Sequence, residues 1–456
     1  MNLIMVMIDS LRADHVGVNG NQWIRTPNLD RFANEGVLFK RAYPESIPTL
    51  QVRRALFTGR RCYPFSDWEY DPKLPNPGWV PIPKDQKVLA EILLENGYQT
   101  ALVTDVFHTF RPHMNFHRGF EEWHWIRGQE CDRYHTGRTL TNLDWKRHVT
   151  PKMNLQARKV KELQMYLRNV SFRQSEEDYF CAQVFRRATR WLEENYNTEK
   201  FFLYIDSFDP HEPWDPPQYY RDMYDPGYDG IEVLNPDYVE DYTTYLTDKE
   251  LKHMRALYAG EVTMVDTWLG YFLQKVHQLG LHENSLIIVL SDHGHQLGEN
   301  GYVGKHMSGL YPCLMDLFVA IQHPDGIGKG KQIETLVYNH DLYPTIFESL
   351  GLDIPGWAEG QSLLPLISGE KKKIRDYVTS MFKSYCWIRD DQYTFFCRSN
   401  KTDFRLYDNI EDPEQKHNIA SDHPDICEKM WSLILKDGGG SVPYWEMGPI
   451  SKDIPP

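Results

Sequence analysis

The sequence predicts an α/β protein, with a mostly parallel, mixed central sheet flanked by helices and a smaller C-terminal α+β subdomain. Short apolar runs without alternation are typical of strands buried on both faces. Segments with helical spacing lie between these runs, as in a parallel sheet whose faces are covered. Near residue 370 the pattern changes to short strand-like pieces, so we divide the chain into residues 1–368 and 369–456.

Four apolar runs are the predicted central strands: residues 3–8, 100–104, 201–205 and 285–290. The clearest helix begins after Thr247, which is placed to form a capping box with Glu250. In sheets of this kind ligands bind at the carboxyl ends of the strands. Functional side chains are therefore expected directly after each run.

Composition argues against several classes of protein. The formal net charge is -14, so no general positive field attracts nucleic acid. No apolar run approaches the ~20 residues that a membrane helix needs. The first residues, MNLIMVMIDS, indicate a strand rather than a signal peptide. The seven cysteines are scattered without a CxxC pair, which favours reduced thiols. We expect a cytoplasmic protein with neither a nucleic-acid nor a membrane partner.

Two of the predicted strands end in groups that bind metals. Asp9 follows the first run, and Asp292 and His293 directly follow the fourth. A carboxylate beside an imidazole suits Mn²⁺ or Zn²⁺ better than Ca²⁺, which prefers oxygen ligands alone. The ordinary alternatives are a helix cap, a turn aspartate and a surface histidine.

Three further segments carry groups suited to an anion. In PTLQVRRALFTGRR, Thr49 leads into a predicted helix that contains Arg53. A helix N-terminus offers free N–H groups to a tetrahedral anion; the alternative is an ordinary helix with surface arginines. DPHEPW supplies His211, and GKH supplies Lys305 and His306, as candidates for anion contact or proton transfer.

The ordered segments resemble the sulfatase family of the alkaline-phosphatase superfamily. The matching pieces are MIDSLRADHVG, LFTGR, GYQTALV, DPHEPW, SDHGHQLGENG with GKH, and LYDNIEDPEQKHNIA. The resemblance implies a large α/β domain with a metal at the strand ends and a small C-terminal domain. It covers almost the whole chain.

The chain departs from the typical family pattern at the nucleophile. Typical sulfatases carry a Cys or Ser that is oxidised to formylglycine, and here that position is Thr49. We expect no formylglycine, because the threonine Cβ already carries a methyl group. Thr49 would instead bind the metal and attack as an alkoxide. Its ester must then be cleaved by water at the central atom, a route that suits phosphorus.

The predicted metal ligands also differ from the typical set. Ser10 stands where a second Asp is usual, and His293 where an Asn is usual. The set of Asp9, Asp292 and His293 resembles the phosphonate monoester hydrolase and phosphodiesterase branch. This resemblance favours Mn²⁺ or Zn²⁺ and leaves Ca²⁺ and Mg²⁺ open.

Three residues are candidates for substrate binding. Asp105 stands near the place of a family lysine and would repel a dianion, which favours a diester or phosphonate monoester. His108 lies close to it in sequence, and His306 follows Lys305.

The sequence thus predicts a metal-dependent hydrolase of phosphodiesters or phosphonate monoesters, acting on a small anionic ester. Thr49 is the nucleophile, Arg53 and Lys305 neutralise charge on the transferring group, and His211 protonates the departing alkoxide. A sulfuric ester hydrolase with an unusual nucleophile is the alternative. A pseudoenzyme that binds metal or anions without turnover is the alternative from another class. A homo-oligomer stays open.

Overall fold

The computed structural model describes residues 1–69, 76–110, 113–136, 145–153 and 157–445. The strands are β1 (Asn2–Ile8), β2 (Val37–Tyr43), β3 (Gln99–Thr104), β4 (Glu122–Trp125), β5 (Phe201–Ser207), β6 (Ser285–Ser291), β7 (Gln296–Leu297), β8 (Val303–Gly304), β9 (Leu317–Gln322), β10 (Lys331–Ile333), β11 (Val337–Tyr338), β12 (Val378–Phe382), β13 (Tyr385–Arg389), β14 (Tyr393–Arg398) and β15 (Thr402–Asp408). The α-helices are α1 (Pro27–Glu35), α2 (Thr49–Thr58), α3 (Leu89–Glu95), α4 (Ala157–Asn169), α5 (Phe180–Asn195), α6 (Gln218–Arg221), α7 (Asp248–Gln278), α8 (Pro312–Met315), α9 (Leu342–Ser349), α10 (Leu364–Ser368) and α11 (Pro424–Asp437).

Within these residues, nine strands form one mixed sheet. The order is β10-β2-β9-β6-β1-β5-β3-β4, and β11 also pairs with β2. β1 runs parallel to β5 and β6, and β3 runs parallel to β4 and β5. β9 is antiparallel to β2 and to β6. The four predicted strands are β6, β1, β5 and β3 at the centre, so the predicted mostly parallel, mixed sheet is confirmed.

Both faces of this sheet are covered, which explains why its central strands are continuously apolar. All seven residues of β1 are buried. Leu3, Met5 and Met7 face a core that includes residues of α2 and α9. Ile4 and Val6 point the other way, into a core that includes residues of α1, α5 and α7. The sheet is therefore the middle layer of three.

The long helix α7 forms most of one outer layer. Its N-terminus has the predicted capping box: the Glu250 N–H donates to Thr247 Oγ1 (3.3 Å), and the Thr247 N–H donates to the Glu250 carboxylate (2.8 Å). The helix packs against α1, α5 and α6. Although α7 has 31 residues, neither it nor any other helix in the described ranges is apolar enough to span a membrane.

The predicted C-terminal α+β subdomain is present. β12, β13, β14 and β15 form an antiparallel sheet in that order. Met430 of α11 shares a core with one face of this sheet, and Trp387 on the opposite face joins the core of the large domain. Near the end of the described chain, Trp445 packs edge-to-face on Trp68 at 4.8 Å between ring centroids. The boundary at residues 368 and 369 stays a prediction.

Candidate active site

Adjacent strands bring metal-type ligands to one edge of the sheet. β1 and β6 are parallel neighbours, so Asp9 and Asp292 follow their carboxyl ends side by side. Asp9, Asp292 and His293 each offer a ligand atom, and these atoms all lie within 4.8 Å of one another. It is the single group of this kind found in the described part of the chain. All three side chains are fully buried.

Ser10 ties the two carboxylates together. Its backbone is in the left-handed region, with φ 58°, which is uncommon for a residue other than glycine. This conformation lets the Ser10 hydroxyl donate to Asp9 Oδ1 while the Ser10 N–H donates to Asp292 Oδ1, both at 2.9 Å. The Tyr258 hydroxyl in turn donates to the Ser10 carbonyl (2.7 Å). Ser10 therefore links the two aspartates, through its hydroxyl to Asp9 and through its main-chain N–H to Asp292.

His293 presents one ring nitrogen to Thr49. Its Nδ1 lies 2.8 Å from the Gly294 carbonyl oxygen, which can only accept, so Nδ1 carries the hydrogen. The Nε2 lone pair then faces Thr49 Oγ1 at 3.4 Å. Gly294 allows this placement, because a Cβ there would overlap the Cys313 carbonyl oxygen. Thr49 is the first residue of α2 and is buried.

These residues fit a divalent cation. Asp9 Oδ2 is buried and accepts no hydrogen bond within the described residues, although the Arg53 guanidinium lies 3.0 Å away; its remaining lone pair is available to a metal. Burial and the neighbouring Asp292 raise the pKa of Asp9 well above its usual value, because two carboxylates repel each other without a cation between them. Asp9, Asp292 and His293 would hold the ion, with Thr49 beside it. A mixed oxygen and nitrogen donor set of this kind is suited to a divalent cation.

Arg53 is surrounded by carboxylates. Its Nε and Nη2 donate to Asp206 Oδ2 and Oδ1 at 2.8 and 2.7 Å, and its Nη1 donates to Asp292 Oδ2 at 2.7 Å. Asp9 Oδ2 lies 3.0 Å from Nη2. The Thr49 carbonyl, one turn earlier in α2, accepts a further bond from Nη1 (3.1 Å). Arg53 thus holds the predicted metal ligands and the start of α2 in one cluster.

A second cluster joins Lys305 to His211. The Lys305 ammonium lies 3.0 and 3.1 Å from the two Glu212 carboxylate oxygens, and 3.0 Å from His211 Nε2. His211 Nδ1 donates to the Glu212 carbonyl (2.7 Å), so its Nε2 accepts from the ammonium. Burial, and secondarily the Lys305 charge, lower the pKa of His211 to about 3. The imidazole is therefore neutral near pH 7 and receives a hydrogen bond from a charged donor.

The family model described as "Sulfatase" matches residues 1–352, and "N-sulphoglucosamine sulphohydrolase, C-terminal" matches residues 298–436. The chain belongs to the sulfatase family. This sulfatase-family hydrolase is similar to an arylsulfatase from Clostridium perfringens. The two sequences are 24% identical over 477 residues, which cover 96% of this chain and 94% of that protein.

Solved structures show the same fold. A phosphonate monoester hydrolase from Agrobacterium radiobacter matches with TM-score 0.71 and 21% identity, covering 95% of each chain. A second such hydrolase, from Silicibacter pomeroyi, matches with TM-score 0.74 and 20% identity, covering 96% of this chain and 94% of that one. The family and superfamily indicated by the motifs are confirmed, as is the fold.

The predicted substrate-binding residues occupy different surroundings. Asp105 is fully buried, and its Oδ1 accepts from the Phe208 N–H (2.7 Å). His108 Nε2 lies 2.8 Å from Glu130 Oε2. His306 Nδ1 contacts Ser308 Oγ at 2.8 Å. Their roles toward substrate stay predictions.

Several side chains in the two clusters were not assigned from the sequence. Asp206, in β5, is the two-point partner of Arg53, and no role was predicted for it. Glu212 directly follows His211 in DPHEPW, but no role was predicted for it. His295 Nε2 lies 3.1 Å from Glu212 Oε2, and its spacing two residues after His293 was the available signal.

Proposed function

We propose that this sulfatase-family hydrolase cleaves phosphodiesters or phosphonate monoesters, with Thr49 as the nucleophile. The observation that carries the proposal is the position of Thr49. Its hydroxyl lies at the head of α2, 3.4 Å from His293 Nε2. Typical sulfatases carry the formylglycine precursor at this position, and threonine cannot supply a formylglycine.

The charges of the site support a monoanionic substrate. Four buried carboxylates face two buried cations, which leaves two negative charges in excess; the groups are Asp9, Asp206, Asp292, Glu212, Arg53 and Lys305. One divalent ion offsets that excess. A phosphodiester, a phosphonate monoester or a sulfate ester then adds one negative charge, whereas a phosphate monoester adds two. Charge favours the first three classes, and Thr49 favours the phosphorus esters among them.

The residues of this chain have the following roles in the proposed reaction. A bound divalent ion would supply positive charge that favours ionisation of the Thr49 hydroxyl and polarises the substrate. Thr49 releases its hydroxyl proton to solvent, and its Oγ forms a bond to phosphorus as the bond to the leaving oxygen breaks. The Lys305–His211 pair delivers a proton to that oxygen, with the charged Lys305 as its source. Water then attacks phosphorus as the bond to Thr49 Oγ breaks. A proton from that water returns to the Lys305–His211 pair, and Thr49 Oγ regains a proton from solvent.

The test is a comparison of kcat/KM for an aryl phosphodiester, an aryl phosphonate monoester and an aryl sulfate. We expect turnover of the phosphorus esters to exceed that of the sulfate, and Thr49→Ala to abolish it. Undiminished phosphodiester turnover by Thr49→Ala would overturn the proposal.

A sulfuric ester hydrolase is the second candidate, because the Clostridium perfringens relative is named an arylsulfatase. Faster cleavage of the aryl sulfate would select it. Bound metal without turnover of any ester would indicate a pseudoenzyme.

A further inference from the structure

Glu212 is the centre of the second cluster. Its side chain is buried, with 3% of the residue exposed. Both carboxylate oxygens contact the Lys305 ammonium, at 3.0 and 3.1 Å. His295 Nε2 lies 3.1 Å from one oxygen, and the Tyr238 hydroxyl donates to the other. One carboxylate therefore contacts Lys305 and two further side chains, while its own main chain holds His211.

The fold builds this contact from three separate segments. Glu212 lies in the loop after β5. The buried Trp214 fixes this loop, because Trp214 Nε1 donates to the Pro210 carbonyl (2.8 Å). Lys305 directly follows β8, and a bridge between Val239 and Val303 sets Tyr238 beside it. Gly304, with φ 99°, leaves room for the Tyr238 ring, which a Cβ would overlap.

This arrangement has an electrostatic consequence. In the low dielectric of a buried site, an ammonium balanced by a carboxylate 3.0 Å away attracts an incoming anion far less than a bare ammonium does. Arg53 is likewise balanced by its carboxylate neighbours. The side chain that removes the surplus positive charge on the Lys305 side is Glu212.

We propose that Glu212 is the specificity-determining residue that makes this site select a monoanionic transferring group over a dianionic one. The inference rests on the proposed function and deepens it, because it names the residue that excludes phosphate monoesters. Glu212 acts through Lys305 and is a positioning residue rather than a catalytic one.

The test compares two substrates with the same leaving group, bis(4-nitrophenyl) phosphate and 4-nitrophenyl phosphate, at pH 7.5. We expect Glu212→Gln to raise the monoester-to-diester ratio of kcat/KM by about tenfold, the effect of one unit charge at roughly 10 Å with an effective dielectric constant near 20. Glu212→Asp keeps the charge, so its rates should fall while the ratio holds. Glu122→Gln removes a carboxylate of β4 that pairs with Arg187 of α5, and it should leave the ratio unchanged.

Lys305→Met guards against a Glu212→Gln protein that fails to fold. It removes the cation and leaves Glu212 charged, so the monoester-to-diester ratio of kcat/KM should fall about tenfold. The variant that combines Glu212→Gln with Lys305→Met should return toward the wild-type ratio, although its rates with the monoester and the diester are both low. A ratio that stays at the wild-type value in folded Glu212→Gln, or in Lys305→Met, would overturn the inference.

The outcomes for the proposed function are separate. If the protein hydrolyses an aryl sulfate instead, the proposed function fails, but the inference about Glu212 is still tested. The aryl sulfate is also a monoanion, so the ratio of kcat/KM then compares the phosphate monoester with the sulfate. If no ester is turned over, binding decides: titration calorimetry of the metal-loaded protein at pH 8 compares inorganic phosphate with dimethyl phosphate. Glu212→Gln should then tighten phosphate about tenfold relative to dimethyl phosphate, and equal changes in both Kd values would refute the inference.

Discussion

Arg53 and Asp206 form a two-point ion pair in which Nε and Nη2 meet the two carboxylate oxygens at 2.8 and 2.7 Å. Asp206 lies in β5, and Arg53 lies in α2. Because Nε and Nη2 bind Asp206, Nη1 is available to donate to Asp292, which follows β6. One guanidinium therefore sets the positions of two strand ends relative to the helix that carries Thr49.

Asp206→Asn should destabilise the protein and weaken metal binding. The amide has one charge fewer and turns a donor toward the guanidinium, which leaves a buried cation only partly compensated. Breaking a buried pair in this way costs about 3–5 kcal/mol. Urea unfolding gives the change in stability, and metal content after dialysis gives the change in affinity.

Asp266→Asn is the matched control. Asp266 is equally buried and accepts hydrogen bonds from the Asn28 and Leu29 N–H groups at the start of α1. We expect this variant to be less stable but to retain its metal. Equal metal loss in both variants would mean that Arg53 does not organise the ligands.

Thr49→Ser should keep activity and Thr49→Ala should not. Serine retains the hydroxyl at the head of α2, whereas alanine removes the proposed nucleophile; removal of the nucleophile of a serine protease lowers kcat by a factor on the order of 10⁶, and we expect a loss of similar size. Intact mass after rapid acid quench should show a phosphoryl adduct on the wild-type and Thr49→Ser proteins alone. An adduct on Thr49→Ala would place the nucleophile elsewhere.

Stability should fall as the solution becomes acidic because of His211. Burial lowers the pKa of His211 to about 3 in the folded state, against about 6.5 in an unfolded chain. Between those values the unfolded chain takes up a proton that the folded protein excludes. The contribution is complete above pH 6.5 and falls by about 2 kcal/mol by pH 5.

Urea unfolding at pH 7.5, 6 and 5 measures this contribution. His211→Gln carries no titrating group and should lose less stability over that range than the wild type. The exposed His417 provides a histidine control, since His417→Gln should follow the wild-type curve. Parallel curves for His211→Gln and the wild type would contradict the prediction.

Metal removal should lower the melting temperature. Without a cation the Asp9 and Asp292 carboxylates repel each other in a buried site, and a ligand at 100 times its Kd stabilises the folded state by about 2.7 kcal/mol. Calorimetry with and without EDTA measures the difference, and Mn²⁺ or Zn²⁺ should restore more of it than Ca²⁺. Asp9→Asn should show a smaller EDTA effect than Asp266→Asn. An equal effect in those two variants would place the metal elsewhere.

The sequence was informative where local pattern and chain direction determine the structure. Continuous apolar runs predicted β1, β3, β5 and β6, and the shared direction of β1 and β6 explains why Asp9 and Asp292 meet. The capping box located the start of α7 to the residue. Ordered motifs supplied the family, which periodicity alone does not identify.

What the sequence did not reveal depends on contacts between distant segments. Arg53 was assigned to charge on the substrate, and nothing near it in the chain indicates that Asp206 binds its guanidinium. Glu212 contacts Lys305 only because the loop after β5 and the segment after β8 fold against each other. Asp105 follows β3 as predicted, but the direction of its side chain toward the Phe208 N–H is a tertiary property.

The contact between Trp68 and Trp445 gives the molecule an internal optical reporter. Two indoles crossing edge-to-face at 4.8 Å are close enough for their electronic transitions to couple, so we expect a paired positive and negative band in far-ultraviolet circular dichroism. The two rings come from opposite ends of the chain, so the signal requires the final described segment to remain docked beside the loop after α2. Its loss under mild denaturant would register detachment of that segment before the central sheet unfolds.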